Sequence, residues 1–178
     1  QKEILELRKS LPYTVLWASQ PEPMYLPETE CFGDPRLPLV IEDELLRIFE
    51  KNNNWNLIVR NHPSEVKRDY PHFVARSEQS DDLTQLFARI HVVLTPSSTV
   101  GFQGGIMGTR LVTIDKSVLT PTMPYAEMGF STGLKEINEI EGVLERINKD
   151  RNVDFPPPYF ETNATRNVVR VIQDMMGV

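Results

Sequence analysis

Three consecutive hydroxyl side chains, those of Ser97, Ser98 and Thr99, follow an apolar run and a proline. The apolar run has the composition of a buried strand, and the small residues after the hydroxyls suit a helix. A helix that begins here has unpaired N–H groups and a partial positive charge at its start, which together favour a phosphate group. The pattern therefore predicts a phosphorylated ligand, with a nucleotide as the leading class.

The same hydroxyls have a second interpretation, because serine and threonine are also good helix caps. A capping residue often also faces a ligand, so the two roles are compatible. Gly101, Gly104 and Gly105 follow, although each glycine in a helix costs about 1 kcal/mol relative to alanine. They indicate either close approach of the backbone to a ligand or tight packing of the helix on a sheet. The pattern is not GxGxxG and no Walker lysine follows, which disfavours the standard dinucleotide and P-loop motifs.

A second polar group, Arg60-Asn61-His62, ends an apolar run that begins at Trp55 and is stopped by Pro63. An arginine at a strand end is able to bind a phosphate in bidentate fashion. His62 is able to donate to phosphate or ribose, or to act as a base. It is equally able to make a structural hydrogen bond to nearby backbone.

Gln103 lies one helical turn beyond Thr99 and therefore on the same face of the predicted helix. Its amide either binds ribose hydroxyls or remains in solvent. The predicted catalytic residue is His62. The predicted ligand-binding residues are Arg60, Ser97, Ser98, Thr99 and Gln103.

Apolar runs of strand length alternate along the chain with helical patterns, and these elements must position the candidate residues. The predicted strands are Thr14–Ser19, Trp55–Arg60, His72–Arg76, His91–Thr95 and Leu111–Asp115. The predicted helices are residues 2–10, Leu39–Asn53, Asp82–Arg89 with Asp81 as its cap, Val100–Met107, Ile137–Asn148 and Thr165–Met176. The segment from Gln20 to Leu37 is rich in Pro and Glu, has no period and is predicted to be a long loop.

This alternation predicts an α/β fold, a Rossmann-like three-layer sandwich with a mainly parallel sheet covered on both faces. Such sheets bind ligands outside the carboxyl ends of their strands. Ser19-Gln20, Arg60-Asn61-His62 and Thr95–Thr99 all fall at that edge, and Asp115 ends a fourth strand there. The convergence of polar groups from separate parts of the chain is the main evidence for a site.

The chain has 178 residues, 40% hydrophobic and 25% charged, which fits one domain over residues 1–178. Its formal net charge of −6 argues against broad nucleic-acid binding but not against a small phosphorylated ligand. The single cysteine, Cys31, excludes an internal disulfide and a cysteine-based metal cluster, and no metal site is predicted. A reduced, cytoplasmic protein is expected, with no signal peptide and no apolar run near the roughly 20 residues of a membrane span.

Four short motifs stand out within about residues 55–133. They are Arg60-Asn-His-Pro63, Thr95-Pro-Ser-Ser-Thr-Val-Gly-Phe-Gln103, Met107-Gly-Thr-Arg-Leu-Val112 and Pro124-Tyr-Ala-Glu-Met-Gly-Phe130. Together they resemble motifs of the carboxyl-terminal domain of two-domain GT-B glycosyltransferases. The nearest types are transferases that build capsular polysaccharide or teichoic acid, to which the UDP-N-acetylglucosamine 2-epimerases are related.

The resemblance implies one Rossmann-like half of a GT-B fold, which holds the UDP, CDP or GDP part of a sugar donor without a metal. It implies His62 and Ser97 to Thr99 near the diphosphate and Gln103 near the ribose. Two positions depart from the family pattern: Gln103 stands where glutamate is usual, and Gly108-Thr109-Arg110 replaces G-K-P. An amide offers one acceptor and one donor, whereas a carboxylate accepts from both ribose hydroxyls. Donor binding is therefore expected to be weakened, altered or lost.

Two hypotheses follow. In the first, the chain is the nucleotide-sugar-binding domain of a GT-B-type glycosyltransferase for polysaccharide or cell-surface glycan synthesis. The chain opens at Gln1 without a methionine, and we expect the amino-terminal acceptor-binding domain to be absent from it and the chain to be inactive alone. In the second, it is a non-catalytic binding or scaffold module. A 2-epimerase-like domain is a weaker alternative, because that chemistry needs acidic groups that the sequence does not place at this edge.

Overall fold

Six parallel strands form the main sheet of the computed structural model, which describes residues 2–66 and 68–150. The strands of the described residues are β1 Tyr13–Ala18, β2 Tyr25–Leu26, β3 Cys31–Phe32, β4 Trp55–Arg60, β5 Val74–Arg76, β6 Val92–Thr95, β7 Arg110–Ile114 and β8 Thr132–Leu134. The α-helices are α1 Lys2–Ser10, α2 Leu37–Lys51, α3 Leu83–Phe87, α4 Thr99–Ile106 and α5 Ile140–Lys149. Short 3₁₀ turns occupy Thr120–Thr122 and Ile137–Glu139.

The strand order of the main sheet is β5-β4-β1-β6-β7-β8, and every neighbouring pair is parallel. From β1 the chain proceeds outward to β4 and β5, whereas from β6 it proceeds the opposite way to β7 and β8. The direction reverses between β1 and β6, and a crevice at the carboxyl ends of two such strands is where open α/β sheets bind ligands. The strands β2 and β3 form a separate antiparallel hairpin.

Apolar side chains cover both faces of the sheet. On one face α2 and α5 pack against the strands, with Ile41, Leu45 and Leu144 fully buried among them. On the other face α3 and α4 contribute Phe87, Val100 and other residues to a second apolar cluster. All six residues of β1 are buried, as expected for a central strand covered on both sides. The predicted three-layer α/β sandwich is confirmed.

Arg8 joins α1 to the ends of two other helices. Its buried guanidinium donates hydrogen bonds to the carbonyl oxygens of Phe87 (2.8 Å), Met107 (3.0 Å) and Gly108 (2.6 Å). Burial lowers the pKa of Arg8 to about 10, so the group stays charged at neutral pH. The carbonyl-rich carboxyl ends of helices carry partial negative charge and stabilise it.

Most predicted elements are present, with three corrections. Asp82, not Asp81, caps α3, because the Asp82 side chain accepts from the N–H of Thr84 at 2.8 Å, whereas Asp81 accepts from Glu78 N–H. The strand β8 was not predicted. The segment predicted as a long loop after β1 contains the hairpin of β2 and β3.

The helix predicted at Thr165–Met176 lies outside the described residues. None of the helices within residues 2–66 and 68–150 combines the length and apolar character that crossing a membrane requires.

Candidate functional site

The candidate site lies at the carboxyl ends of β1, β4 and β6, where the strand order reverses. Ser97, after β6, donates its hydroxyl hydrogen bond to Gln20 Oε1 after β1 at 3.2 Å, so the two loops meet across the crevice. His62 follows β4, one strand beyond β1. Neighbouring strands lie about 4.8 Å apart, so the ends of β4 and β6, from which the His62 and Ser97 loops start, are roughly 10 Å apart.

The amides that open α4 alternate between paired and unpaired. Ser98 N–H donates to Thr95 Oγ1 at 3.1 Å, and Val100 N–H donates to Ser98 Oγ at 3.2 Å. Ser98 is therefore the N-cap, as the capping interpretation predicts. Within the described residues, the N–H groups of Ser97 and Thr99 donate no hydrogen bond. As far as the described part of the chain goes, these two backbone donors at the positive end of a helix have no acceptor.

The remaining predicted groups of α4 differ in exposure. The Ser97 hydroxyl is buried and engaged with Gln20, whereas Thr99 is exposed at the first turn. Gln103 is also exposed, and its side chain makes no hydrogen bond to any other residue that the structure describes. Its amide is thus free to meet a ligand that lies along the helix start.

The packing interpretation accounts for two of the three glycines in α4. A Cβ on Gly101 would lie 2.8 Å from the side chains of Leu111 and Thr95. A Cβ on Gly104 would lie 2.7 Å from Thr109 Oγ1. A Cβ on Gly105 would have no described atom within 4 Å, so packing against the described residues does not explain this third glycine.

His62 is exposed, and its ring is oriented by the turn that follows it. Ser64 N–H donates to His62 Nδ1 at 3.2 Å, and the Ser64 hydroxyl lies 2.8 Å from the same nitrogen. Because Nδ1 accepts a hydrogen bond, the neutral ring carries its proton on Nε2. The structural hydrogen bond expected for a lone histidine therefore exists, and it leaves Nε2–H available as a donor.

Arg60 is buried, and its guanidinium is turned toward the segment after β5. It donates to Ser77 Oγ at 2.7 Å, to the Glu78 carbonyl, and to the Gln79 carbonyl at 3.3 Å. These bonds fix the segment that forms one wall of a cavity of about 200 Å³ beside His62. Direct contact of Arg60 with a phosphate remains a prediction.

Glu65 is a member of the site that the sequence analysis missed. Its carboxylate accepts from Ser19 Oγ at 2.7 Å and from His62 N–H at 2.6 Å, which ties β1 to the turn after β4. A short distance away, Glu22 accepts from Ser117 Oγ (2.6 Å) and from Val118 N–H. The expectation that acidic groups are absent from this edge was therefore wrong. In sequence, these loop carboxylates are indistinguishable from solvated ones.

Glu42 of α2 is a third carboxylate at this edge, almost completely buried. It accepts from Arg68 Nη1 at 2.8 Å and from the Tyr70 hydroxyl at 3.1 Å. Burial raises the pKa of Glu42, while the Tyr70 hydrogen bond and the Arg68 charge oppose that rise. No cluster of three or more His, Cys, Asp or Glu residues suited to a metal ion occurs in the described ranges.

No protein-family model matches the chain, and no curated protein matches it. Solved structures do match. The UDP-GlcNAc 2-epimerase of Methanocaldococcus jannaschii, in complex with UDP-GlcNAc and UDP, has a TM-score of 0.64 and 15% identity over 97% of this chain and 49% of that chain. S. aureus MnaA with UDP has a TM-score of 0.61 and 14% identity, and the match covers 99% of this chain and 49% of that chain. A variant of the wall teichoic acid polymerase TagF has a TM-score of 0.52 and 15% identity, and the match covers 99% of this chain and 48% of that chain.

The chain thus spans about half the length of the solved structures it matches. At these identities the likeness shows the fold. The fold is a Rossmann-like half of the GT-B architecture, as the sequence motifs imply.

Proposed function

We propose that this chain binds a nucleotide-sugar donor at the start of α4, as the donor-binding half of a GT-B-type glycosyltransferase for cell-surface polysaccharide. The observation that carries the proposal is that the N–H groups of Ser97 and Thr99, beside the strand-order reversal, donate to no acceptor among the described residues. Similarity to proteins solved with UDP or UDP-GlcNAc supports a nucleotide diphosphate as the ligand.

The proposed chemistry is metal-independent transfer of the sugar. As the bond from the sugar carbon to the diphosphate oxygen breaks, negative charge develops on the leaving nucleotide. Preorganised backbone donors at a helix start stabilise such charge, which lowers the barrier. The hydroxyls of Ser97, Ser98 and Thr99 line the same helix start, and Gln103 is assigned to the ribose hydroxyls.

His62 is assigned as the group that donates a hydrogen bond to the leaving phosphate through Nε2–H. Its Ser64 contacts hold the ring in that tautomer. Arg60 adds fixed positive charge behind the site and holds the wall at Ser77. The cavity between His62 and that wall is the compartment that we assign to the nucleobase.

The acceptor and any further catalytic group belong, in this proposal, to a second domain. The matched solved chains are about twice as long as this one. We therefore expect this chain to bind a donor nucleotide and to show no transferase turnover alone.

The first prediction is that Thr99→Pro weakens UDP binding at least tenfold. Proline removes the Thr99 N–H, and a hydrogen bond to a charged group contributes about 1.5–3 kcal/mol. The helix should tolerate the change, because proline is favoured at the first helical position and Ser98 already has the extended backbone (φ −65°, ψ 140°) that a residue before proline adopts. Titration calorimetry with UDP measures the effect.

The matched control is Thr99→Ala, which removes the hydroxyl but keeps the N–H. It should lose less affinity than Thr99→Pro, and both variants should unfold at the wild-type denaturant midpoint. Equal UDP affinity in wild type, Thr99→Ala and Thr99→Pro would show that the start of α4 is not the diphosphate site.

A non-catalytic module is the second candidate, favoured by Gln103 and by Thr109-Arg110, which replace the family's residues. A panel of UDP, CDP, GDP and their sugars in a thermal-shift assay separates the two. A ligand at 100 times its dissociation constant adds about 2.7 kcal/mol of stability, which raises the melting temperature by several degrees. No shift with any nucleotide would favour the scaffold function.

A further inference from the structure

The turn after β4 is closed twice by one residue, Glu65. The main-chain N–H of Glu65 donates to the His62 carbonyl at 2.9 Å, and Oε2 of its carboxylate accepts from the His62 N–H at 2.6 Å. Inside this turn, the Ser64 N–H donates to His62 Nδ1 at 3.2 Å. The backbone and the imidazole of His62 therefore belong to one small hydrogen-bonded unit.

The other carboxylate oxygen of Glu65 ties that unit to the centre of the sheet. Oε1 accepts from the Ser19 hydroxyl at 2.7 Å, and Ser19 is buried directly after β1. The next residue, Gln20, accepts from the hydroxyl of Ser97, just before α4. A continuous series of contacts thus leads from His62 through Glu65 and the end of β1 to the start of α4.

We propose that Glu65 is a positioning residue, which holds the imidazole of His62 toward a phosphate group bound at the start of α4. The proposal rests on the proposed function, since it concerns how one assigned group of that site is placed. The two oxygens have separate tasks. Oε2 sets the His62 ring within the turn, and Oε1 sets the turn relative to α4. Glu65 itself contacts no ligand in this proposal.

His62 needs such support because its side chain is exposed, so packing does not hold it in place. An exposed side chain that becomes fixed when it contacts a ligand loses conformational entropy, which lowers affinity. Hydrogen bonds that exist before the ligand arrives reduce this loss. Glu65 closes the turn that carries those bonds to His62.

The two contacts of Glu65 need hydrogen-bonding atoms rather than negative charge. A glutamine at this position can accept from the His62 N–H with its oxygen and donate to the Ser19 hydroxyl with its nitrogen, because a hydroxyl both donates and accepts. Glu65→Gln therefore preserves both contacts, whereas Glu65→Ala removes both. Ser19→Ala removes only the contact between the turn and β1.

The first measurement is the ¹⁵N spectrum of the His62 imidazole in the full chain without a ligand, at about pH 8, where an ordinary histidine is neutral. In the wild type, Nδ1 should have the shift of a hydrogen-bond acceptor and Nε2 that of a protonated nitrogen. Glu65→Ala should move both signals toward those of a histidine in an unstructured peptide. Glu65→Gln and Ser19→Ala should keep the wild-type pattern, because the contacts within the turn survive.

The second measurement is the UDP affinity of the same variants by titration calorimetry. Glu65→Ala and Ser19→Ala should each weaken binding about fivefold, a part of the roughly tenfold loss expected when the His62 hydrogen bond to phosphate is removed altogether. Glu65→Gln should lose less affinity than either alanine variant. Glu50→Ala removes an exposed carboxylate near the far end of α2 and controls for the loss of charge, so it should bind UDP like the wild type.

A double-mutant cycle separates positioning from a general effect on the fold. If Glu65 acts through His62, Glu65→Ala should weaken UDP binding in the wild type but not in a His62→Ala background. Urea denaturation checks that each variant is folded. Should Glu65→Ala not fold, Ser19→Ala provides the same test, with lower UDP affinity and an unchanged imidazole spectrum as the expected result.

Three results would overturn the proposal. They are His62 signals that do not change in folded Glu65→Ala, a loss of affinity that persists in the His62→Ala background, and a loss in Glu65→Gln as large as in Glu65→Ala. Absence of UDP binding in the wild type would overturn the nucleotide proposal instead. The spectrum of the ligand-free chain would then still decide whether Glu65 positions His62.

Discussion

The Tyr125 side chain has a well-packed ring, but its hydroxyl makes no hydrogen bond to a described residue. Its ring stacks on Phe102 with centroids 5.7 Å apart and an angle of 12° between planes. The ring is almost fully buried, and its hydroxyl has no hydrogen-bond partner among the described residues. Burial raises the pKa of Tyr125, because the phenolate would be poorly solvated there.

We predict that Tyr125→Phe raises the free energy of unfolding by about 1 kcal/mol. The substitution keeps the stacked ring and removes a buried hydroxyl, whose unmet desolvation costs about 1–3 kcal/mol. Urea denaturation of both proteins measures the difference. A loss of stability would instead show that the hydroxyl has a hydrogen-bond partner, and the prediction would be wrong.

Single residues of the site were predictable where a local rule applies to them. Ser98 as the helix cap follows from its type and from its place after an apolar run and a proline. The role of Glu65 in the site was not predictable, because its hydrogen-bond partners Ser19 and His62 follow two different strands. The contact exists only once the sheet places those ends side by side.

The helix α4 is shaped at its end by a glycine that the sequence pattern had linked to the family's G-K-P turn. Gly108 has φ +77°, a conformation that residues with a side chain rarely adopt. Its N–H donates to the Gly105 carbonyl, and the Thr109 N–H donates to the Gly104 carbonyl, which is the Schellman arrangement. The glycine therefore ends the helix and directs the chain into β7.

Two helix glycines, one in α4 and one in α5, give the element-scale prediction, in which one substitution at two positions has opposite effects. Gly101→Ala should lower the free energy of unfolding by about 1–3 kcal/mol, because its methyl group would overlap Leu111 and Thr95. Gly142→Ala, at an exposed position of α5 where no described atom lies within 4 Å of the new Cβ, should raise it by up to about 1 kcal/mol through helix propensity. Thermal unfolding of the two variants compares them directly. Equal effects would contradict the packing explanation.

Long elements were predictable because their apolar patterns are long. The strand predicted at Trp55–Arg60 matches β4 in both bounds, and α2 begins two residues before its predicted start. The strand β8 was missed because only Leu134 of its three residues is buried, which leaves no pattern to detect. Its extended form comes from pairing with β7.

At the scale of the whole molecule, the strand order determines where the site lies. No sequence pattern states that β1 and β6 are neighbours. The reversal between them follows from how the crossovers pack, and it brings together two loops far apart in sequence. The fold class was predictable from the alternation of elements, whereas the pairing that creates the crevice was not.

The stability of the whole fold should depend on pH through Glu42. Burial raises the pKa of Glu42, so the folded state holds that proton more tightly than the unfolded state. Between the ordinary carboxyl pKa and the raised one, the folded state binds more protons, and the free energy of unfolding falls as pH rises. Glu42→Gln should remove this part of the pH dependence.

Urea denaturation from about pH 4 to pH 8 measures the effect, a range that spans the ordinary pKa of glutamate and neutrality. The stability of the wild type minus that of Glu42→Gln should decrease as pH rises and then level off. Glu50→Gln, which changes an exposed carboxylate of the same helix, serves as the control. A difference that increases with pH would mean that the charges around Glu42 outweigh its burial.

The hairpin of β2 and β3 carries the protein's one cysteine, and the thiol of Cys31 is exposed. The segments that flank this hairpin contribute Glu22 and Pro35 to the lining of a cavity of about 580 Å³ between the start of α2 and the segments after β1 and β4. A maleimide fluorophore coupled to Cys31 would therefore attach at a single known point of the unaltered sequence. Its emission could then report occupancy of the neighbouring pocket in real time.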